Sequence, residues 1–246
     1  MLTSIKKSSP LVHCITNYVV ANFTANGLLA IGASPVMTDE VEEVADMVAI
    51  SQGLLINIGT VNSRTTDSML VAGRKANALG IPIVLDPVGI GATAYRKRVV
   101  MDLLSDIQFQ CIRCNAGELA AIAGVSWEGK GVDSGIGNMD IVAVAKKIAT
   151  IYKCLVVVTG PIDIVTDGQQ VTEIDGGNEL ATRVTGMGCL LSAICAATLA
   201  IAEHPLQDVA SVLHDYKNAA EQLGSEVGTF AVQFINSLQM IAEGSK

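Results

Sequence analysis

Short aliphatic runs alternate with amphipathic stretches along the whole chain. Residues 83–85 and 154–158 are unbroken apolar segments and 54–58 is one interrupted only by Asn57, as strands buried on both faces are. Residues 34–37 and 108–113 read as two further strands. Between them the apolar period lengthens to that of helices. Residues 40–51 place Val41, Val44, Met47 and Val48 on one face. Residues 63–79 form a helix stopped by Gly80 and Pro82, and 95–104, 115–123 and 140–151 are three more. Thr16 or Asn17 is expected to cap a helix running to about Ala30 and closed by Gly32. Residues 163–166 and 170–174 flank Asp167-Gly168, a hairpin signal. Residues 188–202, 208–224 and 229–242 complete the chain as helices.

Strands separated by helices of ten or more residues imply βαβ units and a mainly parallel sheet. The expected fold is α/β, a three-layer αβα arrangement, with residues 1–246 as one domain. The glycine-rich stretch 127–139 reads as a surface loop within it. In such sheets ligands bind beyond the carboxyl ends of the strands. That rule selects Met37, the segment 57–59, Asp86, the segment 113–118, Thr159-Gly160 and the loop before the helix that carries Cys189.

Composition narrows the partners. Half of the residues are hydrophobic but only 4% are aromatic, so the core must be aliphatic. The net charge is −8, and Arg96-Lys97-Arg98 is the densest basic cluster, read as a solvated helix face. Nucleic acid is therefore not an expected partner. Mean hydropathy is high, at +0.46. Even so, the longest apolar stretch, 189–202, falls short of the roughly 20 residues a membrane span needs. The segment 1–10 has no apolar signal core, which makes the cytoplasm the expected location. Of the six cysteines, Cys111 and Cys114 make a lone C-x-x-C. On a strand their sulfurs should not converge, so neither zinc nor redox chemistry is expected of them.

The candidate chemistry gathers around Gly186-Met187-Gly188-Cys189 at the mouth of a helix. Glycines let the backbone approach a ligand, and the free N–H groups of a first turn favour anions. A thiol there should be shifted toward thiolate by the helix terminus. A tight turn before a buried cysteine is the alternative. Asn115 can cap a helix, with Glu118 three residues on near its N-terminus, a plain capping arrangement. Asp86 could serve a metal, directly or through water, or merely begin an Asp-Pro turn. Arg113 could grip phosphates with its planar fork or form an ion pair. The segment 124–131 nearly spells a phosphate-binding loop, but Gly131 stands where Ser or Thr is needed and a helix precedes it. Lys130 is thus read as a solvated loop residue.

Together these segments are specific. The Gly186–Cys189 turn resembles the anion-hole motif of ribokinase-like kinases, with Cys in the base position usually held by Asp. Cysteine there is similar to hydroxyethylthiazole kinases. So are Pro10-Leu-Val-His-Cys-Ile-Thr-Asn-Tyr-Val19, Gly32-Ala-Ser-Pro-Val-Met37, Leu85-Asp-Pro-Val-Gly89 and Arg113-Cys-Asn-Ala-Gly-Glu118. The family commonly has Asn at Cys14 and another small residue at Cys114.

The resemblance implies a ribokinase-like fold. It implies ATP-dependent phosphorylation of the hydroxyl of 4-methyl-5-(2-hydroxyethyl)thiazole for thiamine salvage, with Mg²⁺ as cofactor. It implies Cys189 as the base, with Met37, Gly186 and Asn17 at the substrate. Arg113 and Thr159 would meet the nucleotide, and Glu118 and Asp86 the metal. It also implies a homotrimer with pockets at subunit interfaces; His13 reads as structural or as part of a subunit contact. A nucleotide-dependent NAD(P)H-hydrate dehydratase is the enzymatic alternative, disfavoured by Cys189 and the segment 10–19. A non-catalytic thiazole- or thiamine-binding protein is the other, disfavoured by the pairing of Arg113 with Glu118.

Overall fold

The structure is a computed structural model that describes residues 1–126, 139–221 and 223–244. In chain order its elements are α1 (Leu2–Ser8), β1 (Leu11–Ile15), α2 (Ala21–Ala30), β2 (Ser34–Val36), α3 (Val44–Ile50), β3 (Gly53–Asn57), α4 (Ser63–Leu79), β4 (Ile83–Asp86) and α5 (Ala94–Asp106). There follow β5 (Cys111–Asn115), α6 (Ala116–Ala123), α7 (Ile141–Tyr152), β6 (Leu155–Thr159), β7 (Asp163–Thr166), β8 (Val171–Ile174), a 3₁₀ turn η1 (Glu179–Arg183), α8 (Met187–Leu199), α9 (Pro205–Glu221) and α10 (Val227–Glu243).

The strands form one sheet in the order β2-β1-β3-β4-β5-β6-β7-β8. β2 through β6 run parallel, and β7 and β8 add an antiparallel hairpin at one edge. Alternate residues of each strand serve opposite layers. Leu55, Val84 and Val157 pack under α1, α2, α8, α9 and α10, while Leu54, Ile56, Val156 and Val158 pack under α3 to α7. This is the expected three-layer arrangement. Cys111 and Cys114 fall into opposite cores, so their sulfurs are separated by the sheet.

The best-predicted helix is α4. Asn62 accepts from Thr65 N and Thr65 Oγ1 accepts from Asn62 N, a reciprocal cap, and Gly80 closes the other end with φ +70°. Elsewhere the structure corrects the sequence reading. The helix expected from Thr16 or Asn17 does not start there: residues 11–15 are strand β1, between β2 and β3, and α2 begins only at Ala21 without a side-chain cap. Asn17 is instead committed to the site described below. The helix expected over 40–51 is trimmed to α3, because residues 41–43 form a turn. The strand expected at 108–113 slides to 111–115. Apart from Met139, the stretch 127–139 lies outside the described residues, as does Lys130.

Arg96 is not a solvated helix residue. Its guanidinium donates to Val88 O at 2.6 Å, Gly59 O at 2.6 Å and Ile58 O at 3.0 Å. It thereby ties the chain after β3 to the chain after β4, as only a fork of donors can. Replacing it leaves three carbonyls without their donor. Arg96→Ala should lower unfolding stability by about 2–3 kcal/mol, and Arg96→Lys should recover less than half of that in urea denaturation.

Candidate active site

The carboxyl ends of β1, β3, β4, β5 and β6 meet the start of α8. Parallel register sets Asn57 beside Asp86 and Asn115 beside Thr159. Asp86 is fully buried. Its Oδ2 accepts from Asn57 Nδ2 and from Ser192 Oγ, both at 2.8 Å. Its Oδ1 has no hydrogen-bond partner and lies 3.8 Å from Arg113 Nη1. Arg113 also donates to Thr159 Oγ1, and its Nε is likewise unpartnered. A buried acceptor and a buried donor are thus left open in one place, an arrangement suited to an incoming polar group.

The turn into α8 requires its glycines. Gly186 has φ +94°, and a Cβ there would come 2.9 Å from Phe23 Cδ1. At Gly188 a Cβ would sit 2.3 Å from Arg113 Nη1 and 2.8 Å from its Cζ, so the guanidinium rests on the glycine backbone. Cys189 follows in the first helical turn, half-buried. Asn17 Nδ2 donates to its Sγ at 3.5 Å and to Asn57 Oδ1 at 2.9 Å.

Glu118 is the third residue of α6. One carboxylate oxygen accepts from Asn115 N at 2.9 Å, completing the capping box with Asn115. The other accepts from Gly89 N at 2.9 Å. Capping is therefore real, yet Glu118 also reaches across to the chain after β4. Its pKa is pushed up to about 7, first by burial and then by Asp86. Asp86 is raised by burial against the pull of Arg113, Ser192 and Asn57. Burial alone would lower the pKa of Arg113, but Asp86 and Glu118 outweigh it and hold the guanidinium charged.

One electrostatic expectation is overturned. The Cys189 thiol is not shifted toward thiolate; burial and then Asp86 push it up to about 12. A helix terminus contributes about 0.3–1 kcal/mol, less than one pKa unit, whereas desolvation moves buried groups by several. The resting thiol is neutral.

Beside this cluster lies a cleft of about 320 Å³ lined by Cys14, Met37, Asn57, Val61 and Met69, with Tyr18 and Arg64 among its other walls. Met37 thus lies where a small apolar ligand would contact it, and Asn57 connects the cleft through Asn17 to Cys189. His13 is buried, its Nε2 against Thr38 O at 2.9 Å. Its Nδ1 is buried without a hydrogen-bond partner.

All the selected residues converge: Asn17, Asp86, Arg113, Thr159, Gly186 and Cys189 belong to one connected arrangement, with Glu118 behind it and Met37 in the adjoining cleft. Sequence reasoning missed Asn57 and Ser192 as partners of Asp86. Ser192 had one available signal, its i+3 spacing from Cys189 on a helix.

The fold is ribokinase-like. A ribokinase-like superfamily protein of Enterococcus faecalis superposes with TM-score 0.71 over 97% of this chain and 88% of its own, at 10% identity, which shows the shared fold. The hydroxyethylthiazole kinase family model matches residues 2–243, and the chain belongs to that family. It is 55% identical over 243 residues to the hydroxyethylthiazole kinase of Lysinibacillus sphaericus, covering 98% of this chain and 95% of that one. It also superposes on the hydroxyethylthiazole kinase protein structure from Pyrococcus horikoshii with TM-score 0.87 and 38% identity, covering 99% and 92% of the two chains.

Two outcomes follow from the geometry. A carboxyl with a higher pKa folded than unfolded keeps an extra proton in the folded state between the two values. Glu118 therefore makes stability fall as pH rises from its ordinary 4.5 to about 7. Glu118→Gln should flatten that decline in urea denaturation, and an unchanged slope would mean Glu118 ionises normally. Gly188→Ala should fold but push Arg113 aside, lowering turnover by about 100-fold, as steady-state kinetics on the purified variant would measure.

Proposed function

We propose that the protein transfers the γ-phosphoryl group of ATP to the hydroxyl of 4-methyl-5-(2-hydroxyethyl)thiazole, for thiamine salvage. The observation that carries this reading is the seating of Arg113 on Gly188 beside Cys189. A charged fork, glycine amides and the residue facing the acceptor lie together beyond the strand ends. Phosphoryl transfer asks for positioning and charge neutralisation more than covalent chemistry. Arg113 and Thr159 take the nucleotide side. Asn17, Met37 and Gly186 take the thiazole side, with the ring in the cleft beside Met37. The amides of 186–188 would receive the charge that develops on the transferring group.

Cys189 faces the acceptor hydroxyl. Its thiol is neutral, so it can take the hydroxyl proton only while passing its own to a nearby acceptor, the role we assign to the buried Asp86 carboxylate, whose Oδ1 is unpartnered. A late proton transfer of this kind suits a loose transition state.

Among the described residues no cluster of three or more His, Cys, Asp or Glu could hold a metal. Asp86 and Glu118 nonetheless fit magnesium bound largely through water. Asp86 Oδ1 is unpartnered, and each carboxylate's repulsion of the other is of the kind a divalent cation relieves. Magnesium, when bound, neutralises charge on the nucleotide phosphates.

A hydrate dehydratase is not favoured, given the family match and Cys189, and neither is a non-catalytic binder. We further propose one domain over residues 1–246, a cytoplasmic location and a homotrimer with pockets at subunit interfaces. No helix among the described residues is long and apolar enough to cross a membrane. Tyr18, 82% exposed at the cleft edge, and its neighbour Val19, 59% exposed, are apolar surface a neighbouring subunit would cover.

Incubation with MgATP and the thiazole alcohol should release ADP only when the alcohol is present, read by a coupled assay. Folded protein giving no such ADP would overturn the kinase reading. Cys189→Ser should slow turnover by about 100-fold with the KM for ATP within twofold. Unaltered turnover would remove Cys189 from the reaction.

A further inference from the structure

Lys217 takes no part in the chemistry above, yet it is a cation buried to 8% exposure on α9. Burying an ammonium is costly unless its protons are all taken up. Here Nζ donates to Pro161 O at 2.8 Å, Gly176 O at 3.2 Å and Gly160 O at 3.4 Å, and Asp163 Oδ1 lies 3.5 Å away. An ammonium has three donors, so the carbonyls occupy it fully and Asp163 balances its charge.

These carbonyls come from two separate stretches of chain. Gly160 and Pro161 form the turn between β6 and β7, and Gly176 belongs to the segment between β8 and η1 that leads toward Gly186. Gly176 and Gly177 have φ +99° and +91°, and that backbone lies along the Lys217 stem. The peptide at Gly160 is gripped twice: its N–H donates to Asp163 Oδ1 at 2.9 Å, and its carbonyl accepts from Lys217. The preceding residue is Thr159, whose hydroxyl accepts from Arg113. A continuous path of contacts therefore runs from α9 through Gly160 and Thr159 to Arg113, and none of it touches the cleft beside Met37.

We infer that Lys217 is a positioning residue for the nucleotide: a built-in cation that clamps the 160–162 turn to the 175–178 segment, holds Thr159 against Arg113, and so sets affinity for ATP without affecting affinity for the thiazole. This rests on the assignment of Thr159 and Arg113 to the nucleotide.

Three variants and one chemical rescue test it. In Lys217→Ala the KM for MgATP should rise about tenfold or more, with the KM for the thiazole alcohol within twofold. Direct titration with AMP-PCP should weaken by the same factor. Ammonium or methylamine, small enough to enter the vacated cage, should restore part of the nucleotide affinity. Lys217→Met fills that cage and should show the defect without the rescue. Should both Lys217 variants fail to fold, Asp163→Asn keeps the lysine but loosens the grip on Gly160 N. It should raise the MgATP KM about threefold and leave that of the thiazole unchanged.

Equal rises in both KM values, unchanged AMP-PCP affinity in a folded Lys217→Ala, or an Asp163→Asn variant with an unaltered MgATP KM would overturn the inference. Thr159→Ala, measured alongside, separates it from the reading beneath it. If Thr159→Ala leaves nucleotide affinity intact, the nucleotide assignment fails. If Thr159→Ala weakens it and Lys217→Ala does not, the role given to Lys217 fails alone.

Discussion

A carboxylate removed from water needs hydrogen bonds and a counter-charge in place of its hydration, or burial makes it untenable. Asp86 meets that requirement with partners from three other elements: Asn57 at the end of β3, Ser192 on α8 and the Arg113 guanidinium from β5. Each partner fixes something further. Asn57 receives Asn17, which in turn reaches Cys189. Ser192 draws the first turn of α8 down onto the strand ends. Arg113 lies on Gly188, where a side chain would have to displace it. The candidate site is therefore built around one acid that the sheet alone could not have hidden.

That acid also sets the electrostatic character of its neighbours. With burial it raises Glu118 and Cys189, and against burial it keeps Arg113 charged. For the thiol this outcome runs against the helix terminus on which Cys189 sits. The two influences differ in size, and the smaller one is the one a motif makes visible.

What the sequence disclosed follows the same division between local and distant causes. α4 was legible from end to end because its cap, Asn62 with Thr65, and its stop, Gly80, are neighbours in the chain. β1 was not, since Val12, His13, Cys14 and Ile15 are all buried between β2 and β3, and a segment without a wet face gives no alternation to read. Arg113, Glu118, Asp86 and Cys189 could be chosen because strand ends and glycine turns mark themselves. Asn57 was marked only as part of a strand end and Ser192 not at all, because their roles lie in a partner 29 and 106 residues away. Lys217 and Arg96 were hidden for the same reason: a cation in a helix looks solvated until the carbonyls facing it are known.

The distribution of sulfur carries a consequence of its own. Cys14, Cys111, Cys114, Cys154 and Cys195 are buried, and the C-x-x-C pair is divided between the two sides of the sheet. Cys189 alone has partial exposure, and its proton is held too tightly for the reactive thiolate to form. Peroxides and electrophiles attack the thiolate, so a chain with six free thiols offers them almost no foothold.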